Sequence, residues 1–387
     1  MKKIKILFIQ PIGQFSGSLK SLEEYLKLLS TKKYRFIFLT QKGVASKRLK
    51  KFGNVYKALG VSKFDNTIIG HYKGFRWLIL LREIFYLFPT FLAIRKIKKE
   101  NKNIDIIHVN EITAIPTIFI LKLCFKTPIV LHVRTLFQKN NFLGKLILDY
   151  LNKATKKIIV IDDIVKKSLP SKFKTTIIRN ILNISNVKFK NNKKQNKKFL
   201  NIGYIGSYLK YKGVDDLILA NNNLIKKGYK IRLYLAGDVL RKKNLMINYF
   251  LNLLNLNNNI TNIKNMKNVY NLGLINELHL FYKKINILCF PSYLNALGRQ
   301  VFEAAIFRIP SIVCLDKNSS DSFENFKTGL AIKKPGSIKD IEKSIIYFYK
   351  NKNLIRKMGN NAFNLVNRKY NKKHNLKKLE NIYKDLL

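Results

Sequence analysis

Residues 285–315 read INILCFPSYLNALGRQVFEAAIFRIPSIVCL. The apolar run Ile285–Phe290 predicts a strand, the turn after it contains Gly298, and the helix that follows carries Glu303 in its first turns. A second buried strand is predicted at Ser311–Leu315. This order of strand, loop, helix and strand places a helix N-terminus beside the C-terminal end of a parallel strand, where open α/β sheets bind anionic ligands. The stretch therefore predicts a parallel α/β architecture with an anion site.

Short apolar runs recur along the whole chain at intervals that leave room for helices. Continuous runs of this kind are typical of strands buried on both faces of a parallel sheet. Amphipathic segments such as Leu19–Leu29 and Asp215–Ile225 lie between them, so the pattern predicts a doubly wound α/β fold. The predicted strands are Ile4–Ile9, Phe36–Leu39, Ile104–Val109, Ile129–Val133, Ile158–Ile161, Leu200–Ile205, Ile231–Leu235, Ile285–Phe290 and Ile312–Leu315.

A chain of 387 residues is too long for one ordinary hydrophobic core, and its length predicts two α/β domains of about 180 residues each. The sharpest change in composition falls at residues 188–198, where Lys, Asn and Gln replace apolar residues, and it predicts a linker. The N-terminal domain is then residues 1–187 and the C-terminal domain residues 199–365. Residues 366–387 form a basic terminal helix.

The net charge is extreme, because 74 Lys and Arg residues against 22 Asp and Glu residues give +52. Such a field attracts membrane headgroups, nucleotide phosphates or nucleic acid. The basic residues are spread along the entire chain, and the aromatic residues sit within apolar runs and do not alternate with cations on one face. A specific nucleic-acid partner is therefore not expected.

Cysteine usage and the first residues indicate a reduced compartment. Three cysteines lie on apolar segments without CxxC spacing and are interpreted as small buried hydrophobes. Ile6–Ile9 supplies only four apolar residues after the N-terminal lysines, about half of what an export signal needs. The expected location is cytoplasmic.

The segment Phe75–Ile94 is rich in aromatic residues and is followed by the cations of residues 95–99. That combination predicts either an interfacial segment at a membrane surface or a core helix with a solvated basic end. A membrane span is not expected, because the longest charge-free run, Ile84–Ile94, has 11 residues and contains Pro89, against about 20 for a spanning helix.

A second loop with anion-binding character follows the predicted strand Leu200–Ile205. It contains Gly206 and Ser207 and ends in the pair Lys212-Gly213 just before a helix. Glycine lets the backbone approach a ligand closely, and the lysine can neutralise phosphate charge.

These two stretches resemble the donor-sugar motifs of retaining glycosyltransferases of the GT-B fold, family 4. In that family two Glu eight residues apart bracket the loop; Glu303 matches the second, whereas the first falls on Asn295. In the family an Arg and a Lys hold the donor diphosphate, and Lys212 matches the Lys. The Arg position falls on Ser207, so Lys210 or Arg299 would have to supply the second positive charge. The donor-binding residues that the resemblance implies are Gly206, Ser207, Lys212, Asn295, Leu297, Gly298, Arg299 and Glu303.

The first half offers acceptor-binding candidates at strand ends. His132 and Arg134 end the strand Ile129–Val133, and Asn110 and Glu111 follow the preceding strand, at the edge that faces the interdomain cleft in this architecture. The loop after the first strand holds two glycines, although GxGxxG is absent. By resemblance His132 lies near the acceptor and the transferred sugar, and it joins Lys212 and Asn295 as a catalytic candidate. The acceptor-binding candidates are Gly13, Gly17, Asn110, Glu111 and Arg134.

Several motifs are absent from the sequence. It contains no D-x-D triplet, no GxxxxGK[ST] and neither HExxH nor paired CxxC. These absences argue against a metal-bridged nucleotide-sugar site, a phosphate-loop ATPase and a zinc site. No metal and no cofactor beyond the donor are expected.

The resemblance implies a GT-B enzyme whose two Rossmann-like domains face a cleft, with the terminal helix, residues 366–387, crossing back to the first domain. It implies retaining, metal-independent transfer from a UDP- or GDP-linked sugar. The basic surface favours a lipid-linked glycan acceptor at the inner face of a bacterial membrane, in capsule, exopolysaccharide or O-antigen assembly. The alternatives are a sugar-nucleotide epimerase or hydrolase of the same fold, a non-catalytic partner subunit, because Asn295 and Ser207 depart from the pattern, and a basic nucleic-acid-binding protein.

Overall fold

A computed structural model of the chain describes residues 3–68, 70, 72, 77–182, 198–238, 266–275, 277–316 and 319–387. The chain forms two compact units. The N-terminal unit comprises Met1–Ile181 and Tyr370–Leu387, and the C-terminal unit comprises Leu182–Lys369. Each unit is built on one open parallel sheet with helices between the strands, which confirms the predicted doubly wound class. The greater part of the predicted linker, residues 188–197, lies outside the described residues.

Strands and helices alternate through most of the described chain. The strands of the N-terminal unit are β1 Ile4–Gln10, β2 Tyr34–Gln41, β3 Asn54–Ala58, β4 Ile106–Val109, β5 Ile129–Val133, β6 Lys157–Val160 and β7 Thr175–Ile177. Its helices are α1 Gly17–Leu26, α2 Val44–Leu49, α3 Trp77–Phe85, α4 Leu87–Glu100, α5 Ile115–Cys124, α6 Phe142–Ala154, α7 Asp163–Lys167 and, at the C-terminus, α13 Lys372–Lys384.

The C-terminal unit repeats the alternation. Its strands are β8 Leu200–Ile205, β9 Ile231–Ala236, β10 Val269–Asn271, β11 Ile287–Phe290, β12 Ser311–Cys314, β13 Ser319–Ser320, β14 Phe323–Glu324 and β15 Gly329–Ile332. Its helices are α8 Val214–Lys226, α9 Leu278–Lys284, α10 Arg299–Ile306, α11 Ile338–Lys350 and α12 Lys352–Lys369, with a 3₁₀ turn at Lys210–Lys212.

Both sheets reverse their strand order once. The order is β3-β2-β1-β4-β5-β6-β7 in the N-terminal unit and β10-β9-β8-β11-β12-β15 in the C-terminal unit. Neighbouring loops therefore leave the sheet in opposite directions between β1 and β4 and between β8 and β11, and this reversal opens a crevice at the C-terminal ends of those strands. The geometry of each sheet alone marks these two places as candidate binding sites.

One face of the N-terminal sheet carries a core of stacked aromatic side chains. Phe8 on β1 lies opposite Phe38 on β2 and His108 on β4, with ring centroids 5.7 Å and 5.0 Å away. Helices α1 and α13 pack over this face, and Leu379 and Tyr383 of α13 belong to the same buried cluster. Because side chains alternate between the faces of a strand, every second residue of β1, β2 and β4 points into this layer.

The C-terminal helix α13 is part of the N-terminal unit by hydrogen bonds as well as by packing. The Tyr383 hydroxyl lies 2.8 Å from Nδ1 of His108, and the side chain of Asn375 accepts a 3.0 Å hydrogen bond from the backbone N–H of Arg179. The carbonyl of Arg179 in turn accepts from the Tyr25 hydroxyl. These contacts hold α13 to β4, to α1 and to the segment that follows β7.

The predicted strands all occur, with ends displaced by up to two residues. The strands that the sequence failed to predict in the two main sheets are β3, β7, β10 and β15, and all four lie at a sheet edge. An edge strand has one neighbour and often one solvated face, so its sequence lacks the long apolar run of a central strand. The terminal helix, predicted at residues 366–387, corresponds to α13 and begins later, because α12 extends to Lys369 and the chain breaks at Tyr370–Asn371.

We predict that Leu379→Ala destabilises the N-terminal unit by about 2–5 kcal/mol, because Leu379 is 3% exposed within the aromatic core and its truncation leaves a cavity. The control is Leu387→Ala, at a side chain 63% exposed, for which we expect a change within about 0.5 kcal/mol. Urea unfolding, with hydrogen exchange read on peptides of β1 and β4, measures both. Equal effects of the two substitutions would show that α13 is not part of this core.

Candidate functional site

The loop after β8 is fixed against the loop after β11. The 3₁₀ turn ends at Gly213, whose φ of +72° is left-handed, and a Cβ at this position would overlap the carbonyl oxygen of Pro291. The backbone N–H of Tyr293 donates a 2.9 Å hydrogen bond to the carbonyl of Tyr211. Glycine is therefore required at position 213 both for its conformation and for the close approach. The two loops form one rigid rim at the β8/β11 reversal.

Lys212 lies on this rim as a half-buried cation. Its Nζ is 5.1 Å from the ring centroid of Tyr211 and 5.4 Å from that of Phe290. Burial lowers the pKa of Lys212 to about 8. Within the described part of the chain no carboxylate forms a salt bridge with it. A desolvated cation without a carboxylate partner attracts an anionic ligand.

The N-terminus of α10 points into the same rim. Gly298 is the residue that precedes the helix, and no side chain caps the first turn. One turn into the helix, Oε1 of Glu303 accepts a 2.9 Å hydrogen bond from Nε of Arg299, and the Tyr282 hydroxyl lies 3.4 Å from Oε2. The helix therefore offers backbone N–H groups to an anion and one carboxylate, held in place by an arginine, to a hydroxyl-bearing ligand.

Asn295 has a structural role that the sequence did not predict. Its φ is +49°, in the left-handed region, and its Oδ1 accepts a 3.0 Å hydrogen bond from the backbone N–H of Asp316. Asparagine tolerates this backbone better than other non-glycine residues. Asn295 thus connects the loop after β11 to the loop after β12, and its catalytic role remains a prediction.

The predicted donor-binding residues come from two adjoining loops. The remaining members are Ser207, whose carbonyl accepts a 2.9 Å hydrogen bond from the Tyr204 hydroxyl, and Leu297, which is buried. Gly206 has a φ of +153°, a backbone conformation that residues with a side chain rarely adopt. The structure places all eight at the β8/β11 reversal: Gly206, Ser207, Lys212, Asn295, Leu297, Gly298, Arg299 and Glu303.

Arg134 is the centre of a hydrogen-bond network at the strand ends of the N-terminal unit. Its Nε donates to Oδ1 of Asn110 at 3.0 Å, its Nη1 donates to Oδ1 of Asn180 at 2.9 Å, and its Nη2 lies 3.2 Å from Nδ1 of His132. Asn110 also donates to Oε1 of Gln10 at 2.6 Å. The network connects the C-terminal ends of β1, β4 and β5 across the reversal between β1 and β4.

His132 is held as a neutral hydrogen-bond donor. Burial, and then the positive charge of Arg134, lower the pKa of His132 well below its usual value. Since Arg134 can only donate, Nδ1 must accept, and the proton of the neutral ring must lie on Nε2. Nε2 is buried and has no partner among the described residues. This N–H is suited to bind an oxygen of a ligand or of a water molecule.

The neighbouring His108 is also neutral, because burial lowers its pKa to about 3. Its ring centroid lies 5.5 Å from that of His132. Sequence reasoning missed His108 and Gln10 as members of this site. The signal was present, because both are polar residues near the end of an otherwise apolar strand.

The other acceptor candidates differ in accessibility. Asn110 and Glu111 are buried inside the unit, and Oε1 of Glu111 accepts from the N–H of Ile112 at 2.9 Å. Burial raises the pKa of Glu111 to about 7. Gly13 packs against the end of β2, where a Cβ would press on Gln41, whereas Gly17 is exposed at the start of α1. Direct contact of these residues with an acceptor remains a prediction.

No metal-ligand cluster forms in the part of the chain that the structure describes, since no three His, Cys, Asp or Glu side chains come together there. The three cysteines are unpaired thiols; Cys289 and Cys314 are buried and Cys124 is half-buried. Positive charge at the rim formed by these two loops is supplied by Lys212 and by the N-terminus of α10.

Residues 184–365 match the family model described as glycosyl transferases group 1. The capsular polysaccharide biosynthesis glycosyltransferase CapM of Staphylococcus aureus is 26% identical over 237 residues. That alignment covers 58% of this chain and 59% of the relative, so the chain spans about three fifths of the length of the curated protein it matches.

Solved structures match almost the entire chain. HepE of Anabaena, solved in complex with UDP-glucose, has a TM-score of 0.70 at 15% identity, covering 99% of this chain and 100% of the other. Sucrose-phosphate synthase of Thermosynechococcus elongatus has a TM-score of 0.71 at 15% identity, covering 99% of each chain. At these identities the likeness shows the fold, and the predicted GT-B architecture of two parallel α/β domains is confirmed.

We predict that Gly213→Ala destabilises the C-terminal unit more than Gly228→Ala does. Both residues have a left-handed φ, +72° and +83°, but nothing lies within 4 Å of a Cβ at Gly228. The common backbone cost is about 1 kcal/mol, and the overlap with Pro291 adds about 1–3 kcal/mol. Urea unfolding of the two variants measures the difference. Equal losses would contradict the tight contact between the two loops.

Proposed function

We propose that this protein is a glycosyltransferase that takes its sugar from a nucleotide-linked donor, because residues 184–365 match the family model described as glycosyl transferases group 1. The observation that carries this proposal is Lys212, a half-buried cation without a carboxylate partner in the described structure, at the reversal between β8 and β11. An open α/β sheet binds its ligand at such a reversal.

The donor diphosphate fits the rim formed by the two loops. Lys212 supplies one positive charge, and the uncapped first turn of α10 supplies backbone N–H groups. Glu303, oriented by its hydrogen bond with Arg299, is placed to accept hydrogen bonds from the ribose hydroxyls of the nucleotide. A carboxylate that is half-buried and already aligned loses little freedom when it binds a diol.

Transfer requires departure of the diphosphate from the anomeric carbon. We propose that the bond between this carbon and the phosphate oxygen breaks with its electron pair going to the diphosphate, whose charge Lys212 and the α10 terminus offset. The acceptor hydroxyl then bonds to the same face of the sugar and gives its proton to the leaving phosphate oxygen. The anomeric configuration is retained and no divalent cation is needed.

The comparisons support a UDP-linked donor, the first of the two expected nucleotides, and an acceptor in surface polysaccharide assembly. HepE was solved with UDP-glucose, and CapM acts in capsular polysaccharide biosynthesis. We propose a lipid-linked glycan as acceptor and a location at the cytoplasmic face of the membrane. In the N-terminal unit, the Nε2–H of His132 is the group best placed to bind a sugar hydroxyl, because it is a donor that lacks a partner among the described residues.

We predict that the protein binds one nucleoside diphosphate selectively, in EDTA and at a salt concentration that suppresses nonspecific contacts with so basic a surface. Lys212→Ala and Glu303→Ala each weaken binding by about 10- to 100-fold, because each removes a charge-assisted interaction. The controls are Lys226→Ala, an exposed cation on α8, and Glu342→Ala, which removes the ion pair with Lys227. Calorimetric titration with UDP, GDP, CDP and ATP measures all four variants.

Equal binding of the four nucleotides, unaffected by the substitutions at Lys212 and Glu303, would contradict the proposed donor site. Selective binding without sugar transfer would instead identify a non-catalytic relative of the family.

We also predict that affinity for the diphosphate falls about tenfold between pH 7 and pH 9. The pKa of Lys212 is about 8, so its amine is charged below this value and neutral above it, and only the charged form attracts phosphate. Lys212→Arg, whose guanidinium stays charged, should remove the pH dependence over this range. The measurement is the dissociation constant as a function of pH. A profile that is the same for both proteins would show that Lys212 does not contact the diphosphate.

A further inference from the structure

The N-terminal unit exposes an extensive apolar surface on α3, α4, α5 and α6. Consecutive helices of this group pack against one another. Since crossovers between parallel strands are right-handed, the helices that connect β3 to β6 cover one face of the sheet, and α1 and α2 cover the opposite face. The outer sides of α3–α6, here termed the apolar face, therefore form one continuous surface.

Exposed large hydrophobic residues are concentrated on this apolar face. Of the 25 in the described chain, 13 lie on these four helices: five on α3, three on α4, two on α5 and three on α6. The most exposed are Leu81 (65%), Phe85 (62%), Phe88 (68%), Leu123 (69%) and Phe142 (77%). A contiguous apolar surface of this size, from several neighbouring elements, marks an interaction site.

The segment formed by α3 and α4 packs on the N-terminal unit along one of its sides. By length and composition Trp77–Glu100 is sufficient for a span, with a mean hydropathy of 1.7. One side of this segment, however, packs against the N-terminal unit. Glu83 is buried and accepts from the backbone N–H of Lys63, and Thr90 accepts from the N–H of Ser62. The segment thus has a fixed inner side and an apolar outer side, as an interfacial helix does.

Charge identifies the occupant of this surface. The end of α4 carries four cations within residues 95–99, all exposed, and Arg82 is exposed on α3. A second copy of the chain would bring another +52 of net charge to the contact, which opposes self-association. A bilayer that contains anionic lipids offers both a hydrocarbon layer for the aromatic residues and negative headgroups for the cations.

We propose that the apolar face, α3–α6, is the surface by which this protein docks on an anionic lipid bilayer, with the side chains of α3 and α4 inserted among the acyl chains. The inference stands on this surface and is independent of the nucleotide site in the C-terminal unit.

Trp77, the single tryptophan of the chain, is a native reporter of this docking. It lies at the start of α3, half exposed and stacked on Tyr72 at 5.4 Å. On vesicles of phosphatidylcholine with one third phosphatidylglycerol, we expect its emission to shift to shorter wavelength and to be quenched by lipids brominated in the acyl chains. Binding at high salt should persist, because insertion is apolar, and should be weaker on phosphatidylcholine alone.

The decisive variant is Leu81→Ser combined with Phe85→Ser and Phe88→Ser. The matched control replaces three exposed apolar residues of the C-terminal unit, Leu219, Leu274 and Leu280, by Ser. We expect the first triple variant to lose at least tenfold in vesicle affinity at high salt and the control to bind like the original protein. Urea unfolding and UDP titration on the same samples report whether each variant is folded and whether its nucleotide site is intact.

Three results would overturn the proposal. The first is vesicle binding that is equal in both triple variants, and the second is no vesicle binding by the original protein. The third is a solution dimer that only the first triple variant converts to a monomer, without any effect on vesicles; the apolar face would then be a contact between copies. None of these results bears on UDP binding, so failure of the docking proposal is distinguishable from failure of the proposed function.

Discussion

The reversal of strand order between β8 and β11 is the constraint on which the candidate donor site depends. A parallel sheet sends every loop to the same edge, and at a reversal two neighbouring loops diverge and leave backbone groups uncovered. In this protein the contact between Gly213 and Pro291 joins those loops, so Lys212 and the start of α10 are held on one rim. Without this contact neither the lysine nor the helix terminus would have a fixed position.

Lys212 differs in its surroundings from the exposed cations that make up most of the charge of the described chain. A net charge of +52 spread over the surface attracts any anion, and salt screens that attraction. Lys212 is enclosed by Tyr211 and Phe290, where burial lowers its pKa and screening by salt is weak. In the proposed donor site, selective recognition of a diphosphate depends on this enclosed cation, whereas the surface charge attracts anions without selectivity.

The sequence predicted the parts of the fold that bury apolar residues on both sides. The central strands followed from apolar runs, and they placed Lys212 in the loop after β8 and Glu303 in the helix after β11. The edge strands β3, β7, β10 and β15 were missed, since an edge lacks that signal. The sequence also could not show that Asn295 adopts a left-handed backbone and bonds to Asp316, because that contact joins loops distant in the chain.

The network around Arg134 illustrates the same limit. Three of its members, Arg134, Asn110 and His132, were candidates for ligand contact when seen alone at the end of a strand. In the folded unit most of their polar atoms bind one another, and Nε2 of His132 and Nε2 of the neighbouring His108 remain without a partner among the described residues. Burial and geometry, which sequence patterns do not encode, decide which polar group of a cluster is left for a ligand.

Hydrogen exchange with and without UDP is the most direct test of a nucleotide site at the β8/β11 reversal, because it locates the bound nucleotide on the chain. With UDP bound we expect slower exchange in peptides that contain residues 206–213 and 295–303, and little change in the basic helices α12 and α13. Protection that is absent from both loops, or that is equal over all lysine-rich peptides, would contradict a nucleotide site at the β8/β11 reversal.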